Sequence, residues 1–171
     1  MLAAGTLAGG PAEARGREKL PAAVFAPAPL AEVAGKVAFI TGGSSGIGLG
    51  LARAFSDAGM KVIFTYLKSE HREAALAQFK PGNAGVHALR VDVTDPDSVV
   101  ELAREVPDAA VLINSAGGAL GVGPVAEADE EEWRQMYESN VLGVMLVTKA
   151  LLPALERSGD GFVVIVGSVA G

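Results

Sequence analysis

Thr41-Gly42-Gly43-Ser44-Ser45-Gly46-Ile47-Gly48 is the stretch on which the reading of this chain turns. A short apolar run, Val37-Ala38-Phe39-Ile40, precedes it. Apolar residues at helical spacing follow: Ile47, Leu51, Ala54, Phe55 and Ala58, up to Gly59, which reads as a C-terminal cap. A strand, a glycine turn and a helix are therefore expected in that order. Gly42 lets the chain turn sharply, Gly46 lets backbone come close to a pyrophosphate, and Gly48 lets the helix pack tightly on the strand. The free N–H groups and the dipole of a helix N-terminus then hold the anion. Ser44 and Ser45 add hydroxyl donors. An ordinary Gly/Ser turn is the alternative, and the rest of the chain argues against it.

Outward from the turn, the same unit repeats. Lys61–Tyr66 is a second apolar run, and Glu70–Phe79 is helix-like. Val86–Val91 is a third run. Asp95 reads as the N-cap of a helix from Pro96 to about Glu105. Ala109–Ile113 is a fourth run, followed by a glycine-rich loop from Gly117 to Pro124. The longest helical pattern comes next: Trp133, Met136, Tyr137, Asn140, Val141, Val144, Val147 and Leu151. Phe162–Val166 is a fifth run. Alternating strands and helices predict a parallel sheet with helices on both faces. Near-continuous apolar strands agree, because a sheet covered on both faces needs no polar alternation. The expected fold class is α/β, a Rossmann-like doubly wound sheet of about five strands in the order 3-2-1-4-5.

The chain has 171 residues, half of them apolar and a fifth charged, the balance of one globular domain. Its net charge of -6 repels phosphate backbones and disfavours nucleic acid as a partner. With no cysteine, disulfides, thiolate nucleophiles and cysteine-held metals are excluded; two histidines, His71 and His87, disfavour a histidine-built metal site. No run approaches 18 apolar residues, so no membrane-spanning helix is expected. Residues 1–34, rich in Ala, Gly and Pro, read as a flexible leader preceding a dinucleotide-binding domain at 35–171. The small apolar start and Ala12-Glu13-Ala14 also fit the remnant of an export signal, although a positive n-region is missing. Cytoplasmic localisation is expected, with export if the true N-terminus carries a twin-arginine signal.

The glycine spacing is Gly-x3-Gly-x-Gly, and with it the sequence resembles the short-chain dehydrogenase/reductase family from about Lys36 to Gly171. Asp92-Val93 follows the third strand, where that family places an acid and an apolar residue against adenine. Asn114-Ser115-Ala116-Gly117 resembles its Asn-Asn-Ala-Gly motif, with Ser115 in place of the second Asn. Asn140-Val141-x-Gly143 matches the position of its structural and catalytic asparagine, and Ser168 that of its catalytic serine. The resemblance implies an oxidoreductase that moves hydride between nicotinamide and a small carbonyl or alcohol substrate. It implies that Ser168 polarises the carbonyl and that Asn140 supports a proton-relay water. It places the cofactor on Gly42, Ser44, Ser45, Gly46, Ile47, Gly48, Tyr66, Lys68, Asp92, Val93, Asn114, Ala116 and Gly117. Each polar match keeps a plainer reading: Asp92 as a turn or capping aspartate, Asn114 as strand-end bonding, Asn140 as a satisfied core asparagine, Ser168 as a turn serine.

Cofactor choice turns on the end of the second strand, where an acid would bond the ribose 2′-hydroxyl and repel a 2′-phosphate. Here the run is Phe64-Thr65-Tyr66-Leu67-Lys68-Ser69, and no acid appears before Glu70. Lys68, with Arg72, suits a 2′-phosphate, so NADP is favoured over NAD. The glycine motif lacks the basic residue of some NADP-preferring relatives, and Lys68 as a solvated surface charge stays open.

The family's proton donor is a tyrosine followed four residues later by lysine. Tyr66 is followed at that position by Glu70, and Tyr137 by Val141, so these 171 residues hold no such pair. The resemblance therefore implies a C-terminally truncated member lacking the last strands and inactive alone, whose full-length parent is a homo-oligomer. A non-catalytic dinucleotide-binding or regulatory fragment is the alternative. The fifth strand is expected to be an apolar sheet edge prone to aggregation.

Overall fold

Along β1 (Val37–Ile40) neighbouring side chains serve opposite faces of a sheet: Phe39 enters one apolar cluster and Ile40 another. The computed structural model describes residues 32–106, 108–121 and 123–168. Most of the expected leader therefore lies outside the described residues. After β1 come α1 (Gly46–Asp57), β2 (Lys61–Tyr66), α2 (Ser69–Leu76), β3 (Val86–Arg90), α3 (Pro96–Glu105) and β4 (Val111–Asn114). A short 3-10 turn, Val125–Glu127, leads to α4 (Glu130–Tyr137), a π-helical turn (Glu138–Leu142), α5 (Gly143–Arg157) and β5 (Phe162–Ile165).

The strands form one parallel sheet in the order β3-β2-β1-β4-β5, as the alternation of runs predicts. Ile40, Val62, Phe64 and Ile113 pack under α1 and α2 through Ala52 and Ala75. Phe39 and Leu112 pack on the other face under α3 and α5, through Val99, Leu102, Val147 and Leu151. The chain thus winds outward from β1 to β3 on one face and returns on the other, to β4 beside β1. The crevice between β1 and β4, outside their carboxyl ends, is where such sheets bind ligands.

The long helical pattern needs correcting. It is not one apolar stripe facing the core. Trp133, Tyr137 and Val141 are about half exposed, and Asn140 is exposed rather than a core asparagine. The buried face belongs to α5: Gly143, Val147, Leu151, Ala154 and Leu155. The π turn supplies a physical reason, because its extra residue shifts the phase of the helix just where the two halves meet. The helix is long. α4, the π turn and α5 run on as Glu130–Arg157, 28 residues, long and apolar enough by length and composition to cross a membrane. Of its most apolar stretch 28% is buried, where the inner residues of α5 fill the core.

The edge strands depart from the uniformly apolar pattern. β3 carries exposed His87 and Arg90, and all four residues of β5 are exposed.

Candidate functional site

The glycine turn opens α1 as expected. Gly42 has φ +63 and Gly46 φ +52, a region where a β-carbon is strained. Gly42 is also crowded: a β-carbon there would lie 2.8 Å from Ala116 Cα. One at Gly48 would collide with the Gly42 carbonyl oxygen, so α1 rests directly on the turn. At Gly46, in contrast, nothing lies within 4 Å, and Ile47 beside it is 64% exposed. The first turn of α1 is thus backed by packed glycine and open in front.

Among the described residues no side chain is seen to cap its amides. Ser45 is the N-cap residue but makes no side-chain capping bond, and the first turn carries no acid. By comparison, Asp95 caps α3 by accepting from the Asp97 N–H at 3.0 Å, and Asp129 caps α4 by accepting from the Glu131 N–H at 2.8 Å. An uncapped N-terminus of a 12-residue helix, fronted by open space, has the donors and the dipole for a diphosphate. The residues present therefore fit a dinucleotide.

Two buried threonines tie the turn to its neighbours. Thr41 Oγ1 accepts from the N–H groups of Ser115 and Ala116, both at 3.0 Å, linking β1 to the loop after β4. Thr65 Oγ1 accepts from the Gly42 N–H at 3.0 Å, linking it to β2. Thr41 opens the glycine stretch and Thr65 is the next-to-last residue of β2, but no local pattern gives either hydroxyl its partner.

Asn114, 3% exposed at the end of β4, donates from Nδ2 to Thr148 Oγ1 on α5 at 3.1 Å. Asn140 reaches the loop that follows. Its Oδ1 accepts from the Gly118 N–H at 3.0 Å and its Nδ2 donates to the Gly118 carbonyl at 2.8 Å. The side chain thereby mimics a backbone partner. A β-carbon at Gly117, φ +145, would strike that Oδ1. Asp92 Oδ1 accepts from the Thr94 N–H at 2.9 Å and from the Thr94 hydroxyl at 2.7 Å, the geometry of a turn aspartate. Val93 is 9% exposed and packs against the Gly143 position, so its side chain serves the core. Tyr66 is half-buried at the end of β2, Lys68 is exposed at the start of α2, and Arg90 donates from Nε to the Leu67 carbonyl at 3.3 Å in the same turn. Ser168 is exposed beyond β5. Apart from Asn140, which reaches in from the π turn, the residues expected at the site lie at or just beyond the carboxyl ends of the strands. Direct contacts join the glycine turn to the Ser115–Ala116 loop, and Asn140 to Gly118; Lys68, Asp92 and Ser168 lie on separate turns.

A family model described as short chain dehydrogenase matches residues 36–171. Sulfoacetaldehyde reductase 2 of Chromohalobacter salexigens is 37% identical over 140 residues, which cover 79% of this chain and 55% of the relative. Serine 3-dehydrogenase of Agrobacterium fabrum is 37% identical over 135 residues, 77% of this chain and 53% of the relative. A solved closed form of serine dehydrogenase complexed with NADP+ superposes with a TM-score of 0.72 at 28% identity, over 79% of this chain and 55% of that one. The chain spans about half the length of the curated relatives it matches.

Proposed function

The chain belongs to the short-chain dehydrogenase family, and from that premise we propose that it is the dinucleotide-binding part of an NAD(P)-dependent oxidoreductase acting on a small carbonyl or alcohol substrate. The observation that carries the proposal is the uncapped, open first turn of α1 at the β1–β4 crevice. Such a cofactor, when bound, supplies or accepts the hydride.

The chain's own residues have these roles in the proposal. Amides of the 44–47 turn hold the diphosphate, with Ser44 and Ser45 adding hydroxyls. Gly42 and Gly48 keep that turn pressed against β4 and α1. Asp92 and the backbone at Val93 border the adenine. Asn114, Ala116 and Gly117 line the crevice beyond β4. Ser168 donates to the substrate oxygen, and Asn140 holds the Gly117–Gly118 backbone beside it while supporting a water. NADP is preferred to NAD. The turn after β2 offers Lys68, with Arg90 held against Leu67 in the same turn, and carries no acid before Glu70. Two cations there suit a 2′-phosphate. The NADP+-complexed relative fits that preference.

Calorimetric titration with NADPH and NADH tests the proposal. The wild-type chain is expected to bind both, NADPH more tightly. Gly46→Glu places a carboxylate in the open space before α1 and is expected to remove binding while leaving the circular dichroism spectrum intact. Equal binding by wild type and variant would refute the turn as the diphosphate site.

A further inference from the structure

We infer that Thr65 is a positioning residue for the dinucleotide, acting through the Gly42 amide; the inference rests on the function proposed above and deepens it. The parallel register pairs Ile40 of β1 with Phe64 of β2. Thr65 is the next residue along β2, at the point where β1 stops supplying ladder partners. The chain leaves the ladder there because Gly42 adopts φ +63. Its N–H would be left without a strand partner between β2 and β4, in a part-buried place. Thr65, 2% exposed, receives that N–H on its hydroxyl at 3.0 Å. A side chain thus replaces the missing strand partner.

The bond controls more than one amide. The Gly42 carbonyl lies directly under Gly48, and the Gly42 α-carbon lies against Ala116. The Gly42 peptide is therefore the seat on which the first turn of α1 rests. With the hydroxyl gone, the free protein relieves its stranded N–H by letting the turn swing toward water. A bound diphosphate demands the closed turn again. Its apparent affinity then falls by the fraction of molecules still closed. Thr65 touches neither phosphate nor substrate in this scheme; it sets how often the turn is ready.

The test uses the 171-residue chain and two variants, Thr65→Val, nearly isosteric without the hydroxyl, and Thr65→Ser, which keeps it. Amide exchange at Gly42 is followed by NMR without ligand, and NADPH affinity by calorimetry. The wild-type Gly42 amide is expected to exchange slowly. Thr65→Val should speed that exchange and weaken NADPH binding roughly tenfold, the consequence of an unmet part-buried donor. Thr65→Ser should restore both. A wild-type Gly42 amide that exchanges as fast as an exposed loop amide would overturn the inference, whether or not the valine variant folds. So would a serine variant indistinguishable from valine. If wild type bound no dinucleotide, the proposed function would fall, and with it the part of the inference that concerns affinity; the exchange data would still judge the Thr65–Gly42 bond.

Discussion

Gly42 and Gly46 share a left-handed backbone but answer to different forces. Gly46 faces open space, so an alanine there meets only conformational strain, about 1 kcal/mol. At Gly42 the same strain is joined by a collision with the Ala116 backbone, which cannot swing aside as a side-chain tip can. Gly42→Ala is therefore expected to lower stability by roughly 3 kcal/mol or more, and Gly46→Ala by about 1. Urea denaturation of both variants checks the ranking, and equal losses would show that the turn has room at Gly42. The glycines were legible in the sequence because their spacing fits only a few backbone paths. The threonines that hold them were not. Whether a hydroxyl at position 65 meets an amide at 42 depends on strand register, and no local pattern encodes register. The same holds for Thr148, which lies 34 residues from the Asn114 that it accepts from.

At the scale of elements, the α4–π–α5 helix departs most from its sequence pattern. Period counting assumes 3.6 residues per turn throughout, and a π turn breaks that assumption with no Gly or Pro inside it. The strands, by contrast, were legible to within one or two residues at each end. β1 and β2 fall on their apolar runs, and α3 starts after Asp95 because that carboxylate accepts from Asp97 N–H. The π turn has a visible consequence. Asn140 sits within it and bonds both backbone groups of Gly118. The loop at 117–118 has few other anchors near it, since Gly117 is at φ +145 and both residues are exposed. Asn140→Ala is expected to speed amide exchange at Gly118 about tenfold or more, because the only replacement partner is water, while α5 exchange stays unchanged. Hydrogen exchange with mass spectrometry reads both segments, and an unchanged loop would remove Asn140 from the role of clamp.

At the scale of the molecule, the sheet order was legible because alternation of runs and the right-handed crossover rule leave few topologies. The composition at the same scale sets what this chain can do. Its two tyrosines, Tyr66 and Tyr137, have Glu70 and Val141 at the fourth following position, and neither is therefore paired with a lysine there. Dinucleotide binding without turnover is the expected behaviour of these 171 residues: NADPH should bind, and its absorbance should not fall when small aldehydes or ketones are added. Steady consumption of NADPH by the pure chain would show that another group donates the proton.

The remaining whole-molecule property is the open side of the sheet. β5 is last in the order, and its Phe162, Val163, Val164 and Ile165 are exposed by 67%, 42%, 44% and 61%. Among the described residues one edge of its backbone has no strand partner, and none of its four side chains carries a charge. Nothing in that strand opposes pairing with another copy, whereas β3, at the opposite edge, carries Arg90. Self-association is therefore expected to run through β5. Ile165→Lys sets a charge on that edge without touching the buried core, so stability should change by about 0.5 kcal/mol or less. Light scattering against concentration should rise steeply for the wild-type chain and stay low for the lysine variant. If both chains scatter alike at equal stability, association runs through another surface, and the exposed Trp133, Tyr137 and Val141 of the long helix become the place to put the next charge.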